Sequence, residues 1–426
     1  MPEIKSFKGL FFNKEKVDIS KNVTPPYDVI SAEEQEHFYN LSPYNIVRLI
    51  LGKESIEDNE NNNKYTRAKE YLENWLKEQI LIQDKDDSIY YLEEKFSVNN
   101  QEKVRKGFIS LTKLEDFHKG NILPHEKTMS GPKADRLNLT KACKCNFSQI
   151  FSVYSDEKSE TLEILQKYSS NNPFIEINYD NKNYKLWKIT DISEIEKLKS
   201  LMLNKKIFIA DGHHRYETAL AYRNYRRKLD NYPANEQPYD YVMMYFSPIE
   251  NNDLLILPTH RGVKDVEFKL DEFVSVIENF FEIEIFYKKE LNDFMQKLEK
   301  EKDNFTVFIF YSGNNKFFYL KFNNIIKEKL NEIESLDVQI LQNFILEKYF
   351  EITQQDLDNK VKIEYIKDVE YGIKLVEQGY LKGFFILNPT KMEQVKKIAL
   401  SGKKMPQKST YFYPKLITGL VIYKIE

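Results

Sequence analysis

Residues 205–229 read KKIFIADGHHRYETALAYRNYRRKL, and five consecutive positions in this stretch, Asp211, Gly212, His213, His214 and Arg215, are polar or conformationally special. The apolar run Ile207 to Ala210 stops at Asp211, after which Thr218, Ala221, Tyr222, Tyr225 and Leu229 recur at helical spacing. This predicts a strand, a tight turn and a helix whose N-terminus carries the polar groups. Unpaired backbone N–H groups and the positive end of the helix dipole favour an anion there, usually a phosphate. His213 and His214 add donors, and Arg215 offers the planar fork that suits phosphate oxygens. Asp211 does not bind phosphate directly; beside a phosphate site a carboxylate holds a divalent cation or handles a proton. A capping aspartate with surface histidines is the plainer alternative. Five such positions in one turn favour the functional reading.

Other stretches could join this chemistry. In PHEKT, 124–128, His125, Glu126 and Thr128 lie close together, and in an extended segment Glu126 and Thr128 share one side. Glu126 is a candidate general base, with an exposed loop acid as the competing reading. GPKADR at 131–136 supplies Lys133 and Arg136, and QKSTYFYPK at 407–415 supplies Lys408, Ser409, Thr410 and Lys415. Both read as anion-binding loops, the second more strongly, because small and basic donors precede an aromatic strand. His260 and Arg261 sit in LPTHR, another polar context for a histidine. There is no G-x-x-x-x-G-K-[ST] cradle, no G-x-G-x-x-G after a strand, and only 13 glycines, so a conventional nucleotide cradle is not expected. Cys143 and Cys145 lack two further ligands at zinc spacing and read as structural. A metal, if used, is magnesium on Asp211 and phosphate, not zinc on adjacent histidines.

The elements that must position these groups belong to a 426-residue chain with 41% hydrophobic and 30% charged residues, ordinary values for a globular protein. Its 63 basic and 66 acidic residues leave a net charge of -3, which gives nucleic-acid binding no support. Two cysteines, no leader-like start and no apolar run near the roughly 18 residues of a membrane span point to a cytoplasmic protein. Strand and helix signals alternate, so the expected class is α+β or mixed α/β, in three segments: 1–120, 121–265 and 266–426. In the first, Ser31 and Glu34 form a capping box, Ile46 to Ile50 reads as a strand, and 64–82 as an amphipathic helix. Two antiparallel strands follow, joined by a turn around Asn99 and Asn100. The second contains a strand at 147–154 and a hairpin over 173–190 that turns at Asp180 to Asn183. In the third, helices over 270–281 and 288–301 precede a hairpin with Gly313 and Asn314 in its turn.

ADGHHRYETA at 210–219, LPHEKT at 123–128, LPTHR at 257–261, MPQKSTYFYPKL at 405–416 and PPYDVIS at 25–31 together resemble one widespread family, similar to the free serine kinases. DGHHR also resembles the phosphate-binding motif of the wider group that includes the ParB partition proteins and sulfiredoxin. The resemblance implies a ParB/sulfiredoxin-like catalytic core with N- and C-terminal α/β extensions. It implies a magnesium-dependent kinase that converts free L-serine to O-phospho-L-serine. Smaller relatives use ADP, whereas longer chains resemble those using inorganic pyrophosphate, and the missing nucleotide cradle agrees with pyrophosphate. Carried over by residue, Glu126 would be the base for the serine hydroxyl and Asp211 would assist with a proton or magnesium. Gly212, His213, His214 and Arg215 would hold the phosphate, with Lys133, Arg136, Lys408, Ser409 and Thr410 as further donor-binding positions. His125, Thr128, His260 and Arg261 would serve the substrate. The competing readings are a ParB-like nucleotide- or nucleic-acid-binding protein and a metal-dependent phosphatase. Expected partners are L-serine and pyrophosphate, with no nucleic acid and no membrane; the oligomeric state is left open.

Overall fold

The computed structural model describes the whole chain except Asn99, 127–129, Lys360 and Gln407, together with all side chains but those of Ser130, Pro132 and Asp358. The turn at Asn99 and the position of Thr128 therefore lie outside the described residues. The chain forms two compact units. Met1–Pro124, Thr128–Leu255 and Pro414–Glu426 make the first; His125–Lys127 and Ile256–Tyr413 make the second.

Among the described residues, nine strands build the main sheet of the first unit. They are β1 (Ile4–Lys5), β2 (Ile89–Val98), β3 (Gln101–Lys113), β4 (Ile122–Pro124), β5 (Ile150–Tyr154), β6 (Ile175–Tyr179), β7 (Lys182–Ile189), β8 (Ile207–Asp211) and β9 (Tyr241–Pro248). The order is β4-β8-β5-β9-β3-β2-β7-β6, with β1 beside β3, so the sheet takes strands from both sides of residue 120. β4 runs parallel to β8 and β5 parallel to β9, while the other pairs are antiparallel. This is a mixed sheet in a mixed α/β fold. The β6–β7 hairpin turns at Asp180 and Asn181, both at positive φ, residue types that tolerate that region.

The helices of this unit are α1 (Ala32–Leu41), α2 (Val47–Ile50), α3 (Lys64–Lys77), α4 (Ser130–Cys143), α5 (Glu160–Gln166), α6 (Ile192–Met202) and α7 (His213–Leu229). The capping box of Ser31 and Glu34 opens α1. The expected strand at Ile46 to Ile50 is instead helical. Val47, Leu49 and Ile50 are all buried, and Asn45 accepts from the Val47 N–H at 2.9 Å. A short run buried on every side has no period to separate helix from strand. Helix α3 ends at Lys77, short of 82, because Gln79 takes a positive φ and Leu81–Gln83 pairs with Leu10–Phe12. The GPKADR stretch is not a loop: it forms the first turns of α4, where a proline costs no hydrogen bond.

Helices pack over a core that includes Ile89, Phe108, Ile150, Ile207, Ile209, Tyr216, Met244 and Phe246. On α7 the buried residues are His213, Tyr216, Thr218, Ala219 and Tyr222, whereas Tyr225 and Leu229 are exposed. The expected apolar face was right for Thr218 and Tyr222 and wrong for Ala221, Tyr225 and Leu229, all of them exposed. Cys143 and Cys145 are buried free thiols; burial pushes the Cys143 thiol up to about 12 and raises Cys145 as well.

The second unit is built on β10 (His260–Val263), β11 (Phe281–Tyr287), β12 (Val307–Tyr311), β13 (Lys316–Phe322), β14 (Ile363–Ile366) and β15 (Gly383–Leu387), in the order β11-β13-β12-β15-β10-β14. All its pairs are antiparallel. Phe308, Phe310, Phe318, Leu320 and Phe385 pack into one core, and Val307, Ile309, Tyr311, Phe317, Tyr319 and Phe384 into another. The two sets alternate along the strands, as a sheet covered on both faces requires. Helices α8 (Leu270–Ile277) and α9 (Leu291–Glu301) contribute Phe273, Ile277 and Leu298 to these cores. Among the described residues no helix is long and apolar enough to cross a membrane.

Candidate functional site

The singled-out residues fall into two groups, one in each unit. In the first, β8 delivers Asp211 at its last position. Its register against β5 shifts between Ile209 and Asp211, and such a bulge re-aims the side chain that follows. Gly212 then adopts φ +91°, a conformation that side chains resist, and starts α7. A Cβ there would also lie 3.0 Å from the Arg215 guanidinium. Gly212, the N-cap, brings no side chain of its own to the start of the helix, and a helix N-terminus favours an anion.

Asp211 itself is turned to a different partner. Arg215 donates from Nη2 to its Oδ2 at 2.7 Å, and Lys415 donates to its Oδ1. Burial alone would raise this carboxyl's pKa; Lys415 and Arg215 more than offset that and hold it well below the usual carboxylate range. Arg215 also donates from Nη1 to Ser148 Oγ at 3.1 Å and to the Gln149 carbonyl. The guanidinium is thus fixed in position, as bidentate anion recognition needs. His213 is buried and His214 half-buried on the first turn of α7.

Lys133 and Arg136 are carried by α4, which packs along α7. Lys133 is ion-paired to Glu217 at 2.8 Å. Arg136 pairs with Asp135, donates to the Ile50 carbonyl at 2.7 Å, and stacks 3.9 Å from the centre of the Tyr27 ring.

The second unit gathers the remaining candidates. His125 is buried, with Nε2 2.9 Å from Thr410 Oγ1, and its carbonyl accepts from the Met405 N–H at 2.6 Å. Glu126 Oε1 accepts from the backbone N–H of Lys408 at 2.9 Å, which orients the carboxylate. Lys408, at φ +57°, gives its carbonyl to Arg261 Nη2 at 3.0 Å. Arg261 is buried against Tyr365 and also donates to the Thr259 carbonyl at 2.6 Å. Burial holds its guanidinium down to about 10, so it stays charged at neutral pH. The Ser409 hydroxyl donates to the Pro406 carbonyl, and Thr390 donates to the Ser409 carbonyl, both at 2.7 Å. His260 Nδ1 accepts from the Leu387 N–H at 3.1 Å, so its ring proton sits on Nε2. Arg261 therefore braces the backbone at Lys408, whose N–H in turn holds the Glu126 carboxylate, while His260 ties to β15 at Leu387.

Lys415 lies in a stretch that sequence reasoning had marked, yet its tie to Asp211 had no signal. Tyr27 and Ser148 were missed as well; only the PPYD context of Tyr27 hinted at it.

The family model described as "Protein of unknown function (DUF1015)" matches residues 4–339. The chain belongs to the DUF1015 family. The matched stretch of this DUF1015 chain holds Asp211–Arg215, Lys133, Arg136, Glu126, His260 and Arg261, while Lys408–Thr410 and Lys415 lie beyond it. No curated protein matches the chain. Among solved structures, a mutant free serine kinase in complex with ADP matches at 12% identity, covering 73% of this chain and 88% of that one with a TM-score of 0.35. SbnI with a C-terminal truncation, from Staphylococcus aureus, matches at 9% identity over 73% and 85%, TM-score 0.35. A conserved hypothetical protein from Pyrococcus furiosus matches at 13% identity over 69% and 87%, TM-score 0.32.

Among the described residues, no three His, Cys, Asp or Glu side chains cluster as a metal cage would require. Both Asp211 oxygens already serve cations. The protein groups thus fit a resident magnesium poorly; a hard cation here would take its ligands from phosphate oxygens and water.

Proposed function

We propose that this protein is a phosphotransferase that phosphorylates free L-serine, with inorganic pyrophosphate, as its magnesium salt, for donor. The observation that carries this is the turn at Asp211–Gly212. It joins the N-terminus of α7 to two cations, Arg215 and Lys415, fixed on one carboxylate. Phosphoryl transfer asks mainly for such pre-placed positive groups, which neutralise charge on the phosphoryl oxygens as it develops. His213 and His214 add donors on the same turn.

In the balanced step the serine hydroxyl loses its proton to the Glu126 carboxylate, and its oxygen forms the new bond to phosphorus. The bridging P–O bond of pyrophosphate breaks, and orthophosphate leaves. The bond from the Lys408 N–H supports the base role by holding Glu126 in one orientation.

Phosphorus NMR of the purified protein with magnesium and L-serine, run with pyrophosphate and with ADP in parallel, tests the reading. Phosphoserine and orthophosphate growing together in the pyrophosphate sample are expected. Phosphoserine with ADP alone replaces the donor, and none with either removes the kinase assignment.

A further inference from the structure

Between Gln394 and Ile425 the chain carries seven lysines, Lys396, Lys397, Lys403, Lys404, Lys408, Lys415 and Lys424, and no aspartate or glutamate. The chain as a whole is balanced at 63 basic and 66 acidic residues, so this is a local concentration of positive charge. The first five of these lysines belong to the second unit. Helix α10 (Met392–Leu400) turns Val395, Ile398 and Ala399 into the core, which leaves Lys396, Lys397 and Leu400 on its outer side. Gly402, at φ +71°, ends the helix. Its N–H bonds the Ala399 carbonyl and the N–H of Lys403 bonds that of Ile398, the pattern that closes a helix on a left-handed glycine. Lys403 and Lys404 leave from that end, and the segment runs on to the exposed Lys408.

These charges are little compensated. Lys396, Lys403 and Lys408 make no ion pair among the described residues. Lys397 meets Glu332 at 3.4 Å, but 68% and 35% of the two side chains are exposed, and so wet a pair holds its partners weakly.

The spacing says what kind of anion they suit. From Lys396 to Leu400 the helix rises about 6 Å, and the stretch from Lys403 to Lys408 reaches up to about 17 Å when extended. Orthophosphate or pyrophosphate covers one or two such charges, whereas a linear polyanion covers them all. Lysine ammoniums are point charges on flexible stems, which accept phosphate oxygens in many geometries. Between Lys391 and Thr410 there is no aromatic residue and no arginine, so nucleic-acid bases would have nothing to stack on. Leu400 is the one large apolar side chain exposed there among the described residues, too little for a face that enters a membrane.

We propose that Lys396, Lys397, Lys403, Lys404 and Lys408 bind linear inorganic polyphosphate along the surface of the second unit. The site involves that unit alone and does not depend on the reaction proposed above.

The test is fluorescence anisotropy of an end-labelled polyphosphate, about fifteen phosphates long, titrated with the full chain at several salt concentrations. Wild type is compared with Lys396→Gln/Lys403→Gln and with Lys14→Gln/Lys158→Gln, which removes two exposed lysines of the first unit. The first variant should bind about tenfold or more weakly at low salt, and its log–log salt slope should be shallower by about two, one per lysine. The second should follow wild type, and both should melt with it, as surface changes do. No binding by wild type, or an equal loss in the two variants, overturns the proposal. So does displacement by an oligothymidylate of equal charge as readily as by unlabelled polyphosphate, which would assign the strip to nucleic acid. Should the first variant not fold, lysine acetylation of the wild type followed by mass spectrometry decides. Polyphosphate shielding Lys396 and Lys403 supports the site, and shielding confined to other lysines overturns it.

Discussion

Glu126 and Asp211 are both carboxylates, yet their surroundings give them different work. Glu126 accepts the Lys408 backbone N–H, which aims it. In Glu126→Gln, kcat for phosphoserine formation is expected to fall by about 10²- to 10⁴-fold, with the pyrophosphate KM little changed; steady-state kinetics retaining near-normal turnover would remove it as the base. Asp211 is a clamp. Asp211→Asn leaves Arg215 and Lys415 without their shared counter-charge, so the pyrophosphate KM should rise roughly tenfold, the equivalent of about 1.4 kcal/mol. An unchanged KM would show that the two cations do not meet the donor. His260 offers a third test, on stability. Burial, helped by the charge of Arg261, lowers its pKa to about 4 from an ordinary 6.5. Between these values the unfolded chain binds the proton and the folded chain does not, so stability is full above about pH 6.5 and falls as pH drops toward 4. The loss is on the order of 3 kcal/mol. Urea melts of wild type and His260→Gln between pH 7.5 and 4.5 should show a shallower pH dependence in the variant.

At the level of elements, the turn between β8 and α7 is the most demanding local structure. Gly212→Ala adds a Cβ at φ +91° and against Arg215. It should cost about 1–2 kcal/mol from the left-handed backbone alone and lower activity further by displacing the guanidinium. A thermal melt identical to wild type would contradict this. This turn was legible in the sequence because its signals are local: an apolar run, an Asp-Gly pair and a change of period fall within a dozen residues. The hairpins turning at Asp180 and Gly313 were legible for the same reason. Ile46 to Ile50 was not, since total burial erases the alternation that would distinguish strand from helix. GPKADR was misread because its Gly and Pro, breakers inside a helix, are harmless in the first turn of α4. The tail of α7 was misread because its tyrosine and leucine keep helical spacing while lying on the solvent side. Least legible were the pairings across distance: Lys415 and Asp211 are 204 positions apart, and no periodicity records such a bond.

For the molecule as a whole, Pro414–Glu426 is the segment to perturb. It belongs to the first unit, where Thr418 pairs with Thr24, Ile422 with Leu10, and Tyr423 with Asn146. It also buries Leu416, Ile417, Leu420, Val421 and Ile422. At about 1.5–3 kcal/mol for each large aliphatic side chain, this is comparable to the whole stability margin of an ordinary domain. Ending the chain after Tyr413 should therefore leave the first unit sensitive to limited proteolysis. Lys415→Met should keep the wild-type digestion pattern and lose donor binding alone. If the shortened chain resists protease as well as wild type does, the segment is dispensable for folding.

The route of the chain also sets an order of events during synthesis. Asp211 emerges from the ribosome long before Lys415, and the entire stretch Ile256–Tyr413 must be translated in between. At roughly 5–20 residues per second, that interval lasts about ten to forty seconds. Throughout it Arg215 has been made and Lys415 has not, so the pair of cations on the Asp211 carboxylate cannot be complete until the second unit has been translated.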